Sequence, residues 1–194
     1  MKKQLFLFGF VFLTGFLFSQ EQTLVGNGFH SGGYGGPVLK IGSYNSNAGV
    51  LSGGRGAWII NHTFAIGGGG YNLTTKIDMD RISENGKDLY LGINYGGVEL
   101  EYIHNSDDLI HWTIHATIGG GTVFFLEKDP REEMFSDGFF VIEPTINMDI
   151  NIAQWFRIGV GLSYFAPIGV QLEDITSSDL SGPTGSLVFK FGSF

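Results

Sequence analysis

Apolar and polar residues alternate along residues 139–152, which read FFVIEPTINMDINI. Every second residue from Phe140 to Ile152 is apolar, and Glu143 and Asp149 belong to the set between them. Because successive side chains of a β-strand point to opposite faces, the pattern predicts one strand with an apolar and a polar face. The apolar face lines the inside of a soluble barrel but the outside of a membrane barrel, so its direction decides the class of protein.

The same alternation, interrupted by turn-forming residues, predicts about eight strands in the rest of the chain. They lie at about 37–45, 48–61, 63–75, 88–104, 109–126, 138–152, 155–167 and 185–194. No stretch after residue 20 has a period of 3.6 residues, so the predicted fold class is all-β.

The connections between these strands are of two kinds. Three are short and three are long and polar; the short ones cover residues 61–62, 104–108 and 153–154, and the long ones 76–88, 127–138 and 171–182. Short turns at one end and long loops at the other are typical of outer-membrane barrels. We therefore predict a single up-and-down antiparallel transmembrane β-barrel of about eight strands.

The first 20 residues have the pattern of a secretory signal peptide. Lys2 and Lys3 precede a largely apolar segment over residues 5–18, and Ser19 is a small residue at a suitable cleavage point. This predicts a cleaved signal over residues 1–20 and one barrel domain over residues 21–194. The chain has no Cys, which excludes disulfides and a lipidated Cys anchor.

The net charge and the distribution of acidic residues limit the kinds of partner that the chain can bind. Losing Lys2 and Lys3 changes the formal charge from −8 to −10, which argues against nucleic acid. The three long connections hold twelve acidic and five basic residues. Such acidic loops could bind a surface partner, bridge divalent cations, or only keep the loops solvated. We expect a monomer without a cofactor or a resident metal.

Three features predict that the apolar faces point outward, toward lipid. The polar faces hold small residues such as Gly159 and Gly161, which leave room inside a narrow barrel. Aromatic residues cluster beside the short turns (Trp58, Phe64, Tyr102, Trp112, Trp155, Phe156) and at the loop ends (Tyr71, Phe124, Phe125, Phe139, Phe140, Tyr164), as in two interfacial girdles. The charges within strands fall on the polar faces: Lys40, Arg55, Glu99, Glu101, Glu143, Asp149, Arg157 and Lys190.

The predicted strand at 88–104 changes its alternation in the middle. Apolar residues occupy odd positions up to Tyr95 and even positions from Val98. A β-bulge at Gly96–Gly97 would keep Glu99 and its neighbours out of the lipid, so a bulge is predicted there.

With its signal peptide, eight alternating strands and C-terminal segment GSLVFKFGSF, the chain resembles the small eight-stranded outer-membrane β-barrel proteins of Gram-negative bacteria, the OmpA/OmpX-like or porin-like small barrels. The resemblance implies an outer-membrane location and insertion by the barrel-assembly machinery, which reads a final strand with a terminal Phe. Leu187, Phe189, Phe191 and Phe194 match that signal. Phe194 is one residue out of step, so either Gly192–Ser193 bulges or the signal is read loosely.

Candidate chemistry is limited to the polar faces. His111 and His115 start about 13 Å apart on a strand rising about 3.3 Å per residue, which disfavours a shared metal. We expect a polar and ionic network inside the barrel, formed by Arg55, Glu99, Glu101, His111, His115, Glu143, Asp149 and Arg157. If the turns centre on Ser106 and Ala153, Glu101 lies opposite His111 and Asp149 opposite Arg157.

Two other functions stay open at this point. A soluble lipocalin-like carrier would need its apolar faces to line a cavity. A lipid-modifying barrel enzyme would need a serine, a histidine and a carboxylate to converge, from a set comprising Ser52, Ser163, His111, His115, Glu99 and Glu143. No nucleophile motif is present, and we expect a structural or surface-interaction protein without catalysis.

Overall fold

The computed structural model of the protein describes residues 29–83, 86–127 and 133–194. The predicted signal peptide lies outside these ranges. The strands are β1 (Ser31–Tyr44), β2 (Asn47–Ile60), β3 (Phe64–Leu73), β4 (Ile77–Ile82), β5 (Asp88–Ile103), β6 (Ile110–Glu127), β7 (Glu133–Ala153), β8 (Phe156–Ile168), β9 (Gln171–Leu172), β10 (Ile175–Thr176) and β11 (Gly182–Ser193), and helix α1 covers Ser177–Leu180.

Eight of these strands form a closed antiparallel barrel. Around the barrel they follow the order β1, β2, β3, β5, β6, β7, β8 and β11. Strand β11 pairs with β1, and β3 pairs with β5, so the sheet closes on itself. The prediction of an all-β, up-and-down antiparallel barrel of eight strands is confirmed. Closure removes the free edges at which an open sheet could pair with other chains.

The two ends of the barrel differ in their connections. At the short-turn end, residues 61–63, 104–109 and 154–155 join consecutive strands, and β1 begins and β11 ends there. The loop end carries the longer connections together with the tight turn Asn45–Ser46, whose φ angles of 49° and 63° suit a two-residue hairpin. Both chain ends of the barrel therefore lie at the short-turn end.

The predicted loop over residues 127–138 is wrong in part. Strand β6 ends at Glu127, within one residue of its predicted end, but β7 begins at Glu133, five residues before its predicted start, so its pairing extends into the predicted loop. The connection after β3 also contains a strand, because β4 pairs with β5. Two-residue alternation is weak in these segments, which explains why the sequence analysis assigned them to loops.

The exposure of the side chains on β7 shows which face of the sheet points outward and which points into the barrel. Ile146, Met148 and Ile152 are more than half exposed, whereas Glu143 and Asp149 are buried at 0% and 1% exposure. The apolar side chains of β7 therefore point outward and its charged side chains point into the barrel. This is the reverse of the arrangement in a soluble barrel.

The interior is divided into two halves along the barrel axis. The half toward the short turns contains most of the buried charges, whereas Glu127 is buried at the loop end. The half toward the loop end contains one buried apolar cluster, which includes Tyr44, Leu51, Tyr71, Ile77, Leu89, Leu91, Ile93, Tyr95, Val123, Phe125, Phe139, Val141 and Phe165. A smaller cluster of Tyr34, Ile59, Ala65 and Ile103, with Phe194 packed against it, lies at the short-turn end.

The predicted bulge at Gly96–Gly97 is wrong. Pairing of β5 with β3 and with β6 continues through both glycines without a shift of register. Odd-numbered side chains of β5 point inward along its whole length, from Leu89 to Glu101. The apparent change in parity marks the passage from the apolar to the polar half of the interior. The glycines allow the neighbouring strands to pack closely, because a Cβ on Gly97 would lie 2.3 Å from the carbonyl oxygen of Ile118.

The predicted aromatic girdle at the loop end is also wrong for several of its residues. Phe140 and Tyr164 are exposed on the outer surface, but Tyr71, Phe125 and Phe139 are buried in the apolar cluster. Phe124 is buried as well. At the short-turn end the prediction agrees with the structure, because the three tryptophans, Phe64 and Tyr102 are all more than a third exposed.

The connection between β8 and β11 covers the loop end of the barrel. Val170, Leu172, Ile175 and Leu180 are buried in the apolar cluster, and we call residues 169–181 the cap. Helix α1 in the cap has a capping box between Thr176 and Asp179. Among the described residues, no helix is long and apolar enough to cross a membrane.

Candidate functional site

The inner polar residues form a network of buried ion pairs, in which Lys40 and Glu143 lie next to the apolar half. Lys40 Nζ lies 2.7 Å from Glu143 Oε2 and donates a 3.0 Å hydrogen bond to Tyr95 Oη. Tyr95 Oη and Ser163 Oγ each donate a 2.7 Å hydrogen bond to the same carboxylate. With three donors, Glu143 is well compensated for the loss of its hydration.

Arg55 joins two carboxylates on β5. Its Nε lies 2.6 Å from Glu99 Oε2, and its Nη2 lies 3.4 Å from Glu101 Oε2. Tyr71 Oη donates to Glu99 at 2.6 Å, and Tyr34 Oη donates to Glu101 at 2.5 Å. The planar guanidinium suits this role because its donors point in several fixed directions.

Lys190 connects the network to β7. Its Nζ lies 2.8 Å from Glu101 Oε1 and 2.6 Å from Asp149 Oδ2. These contacts join β11 to β5 and β7 across the interior. Strands β11 and β5 are not neighbours in the sheet, so the ion pairs cross-link the barrel through its inside.

The two predicted histidines are in separate surroundings. His111 Nδ1 lies 3.2 Å from the carbonyl oxygen of Asp108, and its Nε2 is 3.9 Å from Asp149 Oδ2. His115 Nδ1 lies 3.0 Å from Asn147 Nδ2. Within the described ranges, no group of three or more His, Asp and Glu side chains is arranged to hold a metal ion.

Arg157 lies at the short-turn end of the network. Its Nη2 donates a 3.2 Å hydrogen bond to the carbonyl oxygen of Ser106, and its guanidinium lies 3.9 Å from the centre of the Phe194 ring. Phe194 stacks in turn on Tyr34, with 6.1 Å between ring centres. These side chains occupy part of the opening at this end of the barrel.

All eight residues predicted for the internal network are buried inside the barrel. The sequence analysis had placed Lys40 and Lys190 on polar faces but had not assigned them to the network. With them, four bases face four acids: Lys40, Arg55, Arg157 and Lys190 against Glu99, Glu101, Glu143 and Asp149. The formal charge of this set is zero, as a poorly hydrated interior requires.

Both predicted cross-strand pairs are wrong. Glu101 lies opposite His115 rather than His111, because the turn between β5 and β6 is centred near Asp108. Arg157 lies opposite Asn151 rather than Asp149, and the register between β7 and β8 shifts before Ala153. The partner changes by four residues in the first pair and by two in the second, and an even change keeps each side chain on its face.

The C-terminal strand presents two faces. Leu187, Phe189 and Phe191 point outward, and Phe191 stacks on Phe156 with 4.8 Å between ring centres. Phe194 instead packs inside, against Tyr34. Pairing of β11 with β1 shows no register shift at Gly192 or Ser193, so the bulge considered for this segment is absent.

The candidate catalytic set does not converge. Ser163 donates to Glu143 and contacts Thr184, and Ser52 lies on the outward face of β2. In the part of the chain that the structure describes, no hydrogen bond joins either serine to His111 or His115. The geometry offers no activated nucleophile from this set.

No protein-family model matches the sequence, and no curated protein is similar to it. Solved structures are similar in fold. Neisserial surface protein A superimposes with a TM-score of 0.57 at 10% identity, covering 86% of this chain and 98% of that chain. The chain has the fold of the small eight-stranded outer-membrane barrels.

Two further structures support this assignment. The N-terminal β-barrel domain of Pseudomonas aeruginosa OprF has a TM-score of 0.53 at 10% identity, covering 84% of this chain and 96% of that domain. The attachment invasion locus protein Ail of Yersinia pestis, solved with the heparin analogue sucrose octasulfate, has a TM-score of 0.51 at 11% identity, covering 84% and 97%. At such identities the likeness concerns the fold and not the activity.

Proposed function

We propose that the chain is an integral, monomeric outer-membrane barrel with a sealed interior, which acts as a structural or surface-interaction protein without catalysis. A cleaved signal peptide would export it, and the barrel-assembly machinery would insert it. The loop end would face the cell exterior and the short-turn end the periplasm.

The outward apolar band is the observation that carries this proposal. Leu162 and Ile146 are 69% and 54% exposed. On β7 the band runs from Phe140 to Ile152, about 40 Å along the strand at ~3.3 Å per residue, or about 30 Å at a tilt of ~40°. That height covers the apolar layer of a membrane. The soluble-carrier alternative would require this surface to face water.

Two layers support the proposal that the interior is sealed. The buried ion pairs fill the half near the short turns, and the apolar cluster with the cap fills the other half. Eight strands enclose a space that side chains can fill. In planar bilayers we expect no stable conductance steps from purified protein, and regular steps would contradict the sealed interior.

Features of the loop end support a surface role. Ile82 and Phe135 are exposed there, beyond the apolar band, and the same end of the barrel carries the acidic residues Asp78, Asp80, Asp88, Asp137, Glu173 and Asp174. Such a surface suits a partner that combines basic and apolar groups. Binding to host-cell extracts by intact cells, compared with cells carrying Ile82→Ser and Phe135→Ser, would test it.

The proposal as a whole is tested by cell fractionation combined with gel mobility in SDS with and without boiling. We expect the protein in the outer-membrane fraction, with a band that shifts on boiling because the folded barrel resists SDS. A soluble protein without a shift would contradict the proposal.

A further inference from the structure

Two histidines from separate parts of the chain meet at the short-turn end of the barrel. His30 precedes β1, and His62 belongs to the turn between β2 and β3. Their imidazole rings lie 5.2 Å apart, centre to centre, with an angle of 45° between the ring planes. The two rings are therefore adjacent and tilted rather than stacked.

Backbone hydrogen bonds hold the two residues beside each other. The N–H of His30 donates a 3.1 Å hydrogen bond to Asn61 Oδ1, and the N–H of Asn61 donates a 2.9 Å hydrogen bond to the carbonyl oxygen of His30. The N–H of Thr63 donates to the carbonyl oxygen of Ile60 at 3.1 Å, which closes the turn around His62. The segment before β1 is thus tied to the turn, and this restricts the distance between the two side chains.

Trp58 anchors the residues on either side of His30. Its Nε1 donates a 2.7 Å hydrogen bond to Ser31 Oγ, and its ring packs edge-on against Phe29 with 6.3 Å between ring centres. His30 therefore extends from a part of the chain that is fixed on both sides.

The turn itself does not explain why a histidine occupies position 62. Asn61 and His62 have φ angles of 50° and 54°, and glycine is favoured at the second position of such a turn. His62 Nδ1 is buried and has no hydrogen-bond partner among the described residues. Because a buried imidazole nitrogen ordinarily has a partner, this nitrogen is suited to bind a ligand.

The spacing of the two rings matches that of two imidazoles on one metal ion. Bonds from Zn²⁺ to histidine nitrogen are about 2.0–2.1 Å long, so two imidazoles on a tetrahedral ion have their ring centres about 5 Å apart. The 5.2 Å between His30 and His62 agrees with this distance. A metal ion would therefore need only small rotations of the two side chains.

The imidazole ligands determine the class of ion. Imidazole suits Zn²⁺, Cu²⁺ and Ni²⁺, whereas Mg²⁺ and Ca²⁺ prefer oxygen ligands. No group of three or more His, Asp and Glu side chains is arranged to hold a metal ion in the part of the chain that the structure describes. Water would complete the coordination of an ion bound by two histidines, so the ion would be exchangeable.

We propose that His30 and His62 form an exchangeable site for one divalent transition-metal ion of the Zn²⁺ and Cu²⁺ class. A bound ion would link the start of β1 to the turn between β2 and β3. The inference rests on the barrel fold, and the proposed membrane orientation adds only that the site faces the periplasm.

Calorimetric titration with Zn²⁺ of the folded protein in detergent micelles, without a histidine tag, tests the site. We expect one Zn²⁺ per chain, and we expect His30→Asn and His62→Asn each to weaken binding at least about tenfold, because two linked ligands bind an ion more tightly than either alone. His104→Asn is the matched control and should leave the Kd unchanged. His104 lies at the same end of the barrel, where its ring stacks on Trp112 with 4.7 Å between ring centres.

Two outcomes of the titration would overturn the inference. One is unmodified protein that binds Zn²⁺ no more tightly than the double variant His30→Asn with His62→Asn. The other is a loss of affinity in only one of the two single variants. Unboiled gel mobility shows whether each protein is folded, so a failure of the barrel proposal is distinguished from a failure of the metal site.

The electron paramagnetic resonance spectrum of bound Cu²⁺ reports the ligands directly. With one equivalent of Cu²⁺ on the folded protein, we expect splitting from two nitrogen ligands, and from one nitrogen in either single variant. A spectrum that is the same in the unmodified protein and in both variants would also overturn the inference.

Discussion

The two halves of the barrel interior differ in polarity: the half near the short turns is polar and charged, and the half near the loops is apolar. In the short-turn half, the outer surface is apolar and the interior is polar, with its charges paired. In the loop half, the interior is apolar, as in a soluble protein. On β5 both faces change together: Val98 outside and Glu99 inside give way to Asn94 outside and Tyr95 inside. On β5, therefore, the outer and inner faces change polarity at the same level.

The largest effect is expected from breaking an ion pair in the polar half. Glu143→Ala leaves Lys40 buried without its carboxylate. We expect the free energy of unfolding, measured by urea titration in lipid vesicles, to fall by about 3–5 kcal/mol. The control is the double variant Lys40→Met with Glu143→Leu, which removes both charges. A single variant as stable as the double would contradict the account of this half.

In the apolar half, a large-to-small substitution should cost slightly less. Phe165 is fully buried, and its ring lies 4.9 Å from that of Tyr95 and 6.0 Å from that of Tyr44. We expect Phe165→Ala to lower the free energy of unfolding by about 3–4 kcal/mol in the same titration, because it leaves a cavity. Ile82→Ala, at a mostly exposed position, is the control and should change little.

How far the sequence predicts this structure differs between the two halves. In the short-turn half, strict alternation identified the strands and placed Arg55, Glu101 and Asp149 inside. In the loop half, the same rule assigned Tyr71 to the outer girdle and a bulge to β5. It assumed that apolar side chains face outward along the whole strand, whereas Tyr71 and the odd-numbered apolar residues of β5 face the core.

The partners of the inner charges could not be predicted for another reason. Lys40 of β1 meets Glu143 of β7, and Lys190 of β11 meets Glu101 of β5. These strands are not neighbours in the sheet, so the pairs form only when the barrel closes. Alternation predicts the face of a side chain but not what lies across the interior.

A smaller effect is expected at the surface of the loop half. Arg81 pairs with Glu173 and Asp174, and these contacts link β4 to the cap. The groups are partly exposed, so Arg81→Ala should lower the stability of the cap by at most about 1 kcal/mol. Hydrogen exchange of the amides in residues 171–176 should accelerate, and high salt should have the same effect on the unmodified protein. An unchanged rate in both cases would show that these ion pairs do not hold the cap.

The smallest effect concerns the acidity of the capping box in α1. Hydrogen bonds from the Thr176 side chain and backbone lower the pKa of Asp179 from its ordinary value of 3.8. Its contribution to stability is therefore complete above pH 3.8 and is lost as the pH falls through the lower folded-state pKa. In an NMR titration, Thr176→Ala should raise the Asp179 pKa toward 3.8, while Ser181→Ala, which removes a hydroxyl bonded to the Ser177 carbonyl oxygen, serves as the control. An unchanged midpoint in Thr176→Ala would contradict the role of the hydroxyl.

The native tryptophans offer a direct test of whether the apolar outer faces contact lipid. Trp58, Trp112 and Trp155 are the three tryptophans of the chain, and all lie exposed beside the short turns. The protein is folded into vesicles whose lipids carry bromine either near the headgroups or deep in the acyl chains. If the tryptophans lie at the membrane interface, we expect strong fluorescence quenching by the shallow bromines and weaker quenching by the deep ones. Fluorescence unaffected by either lipid would contradict it.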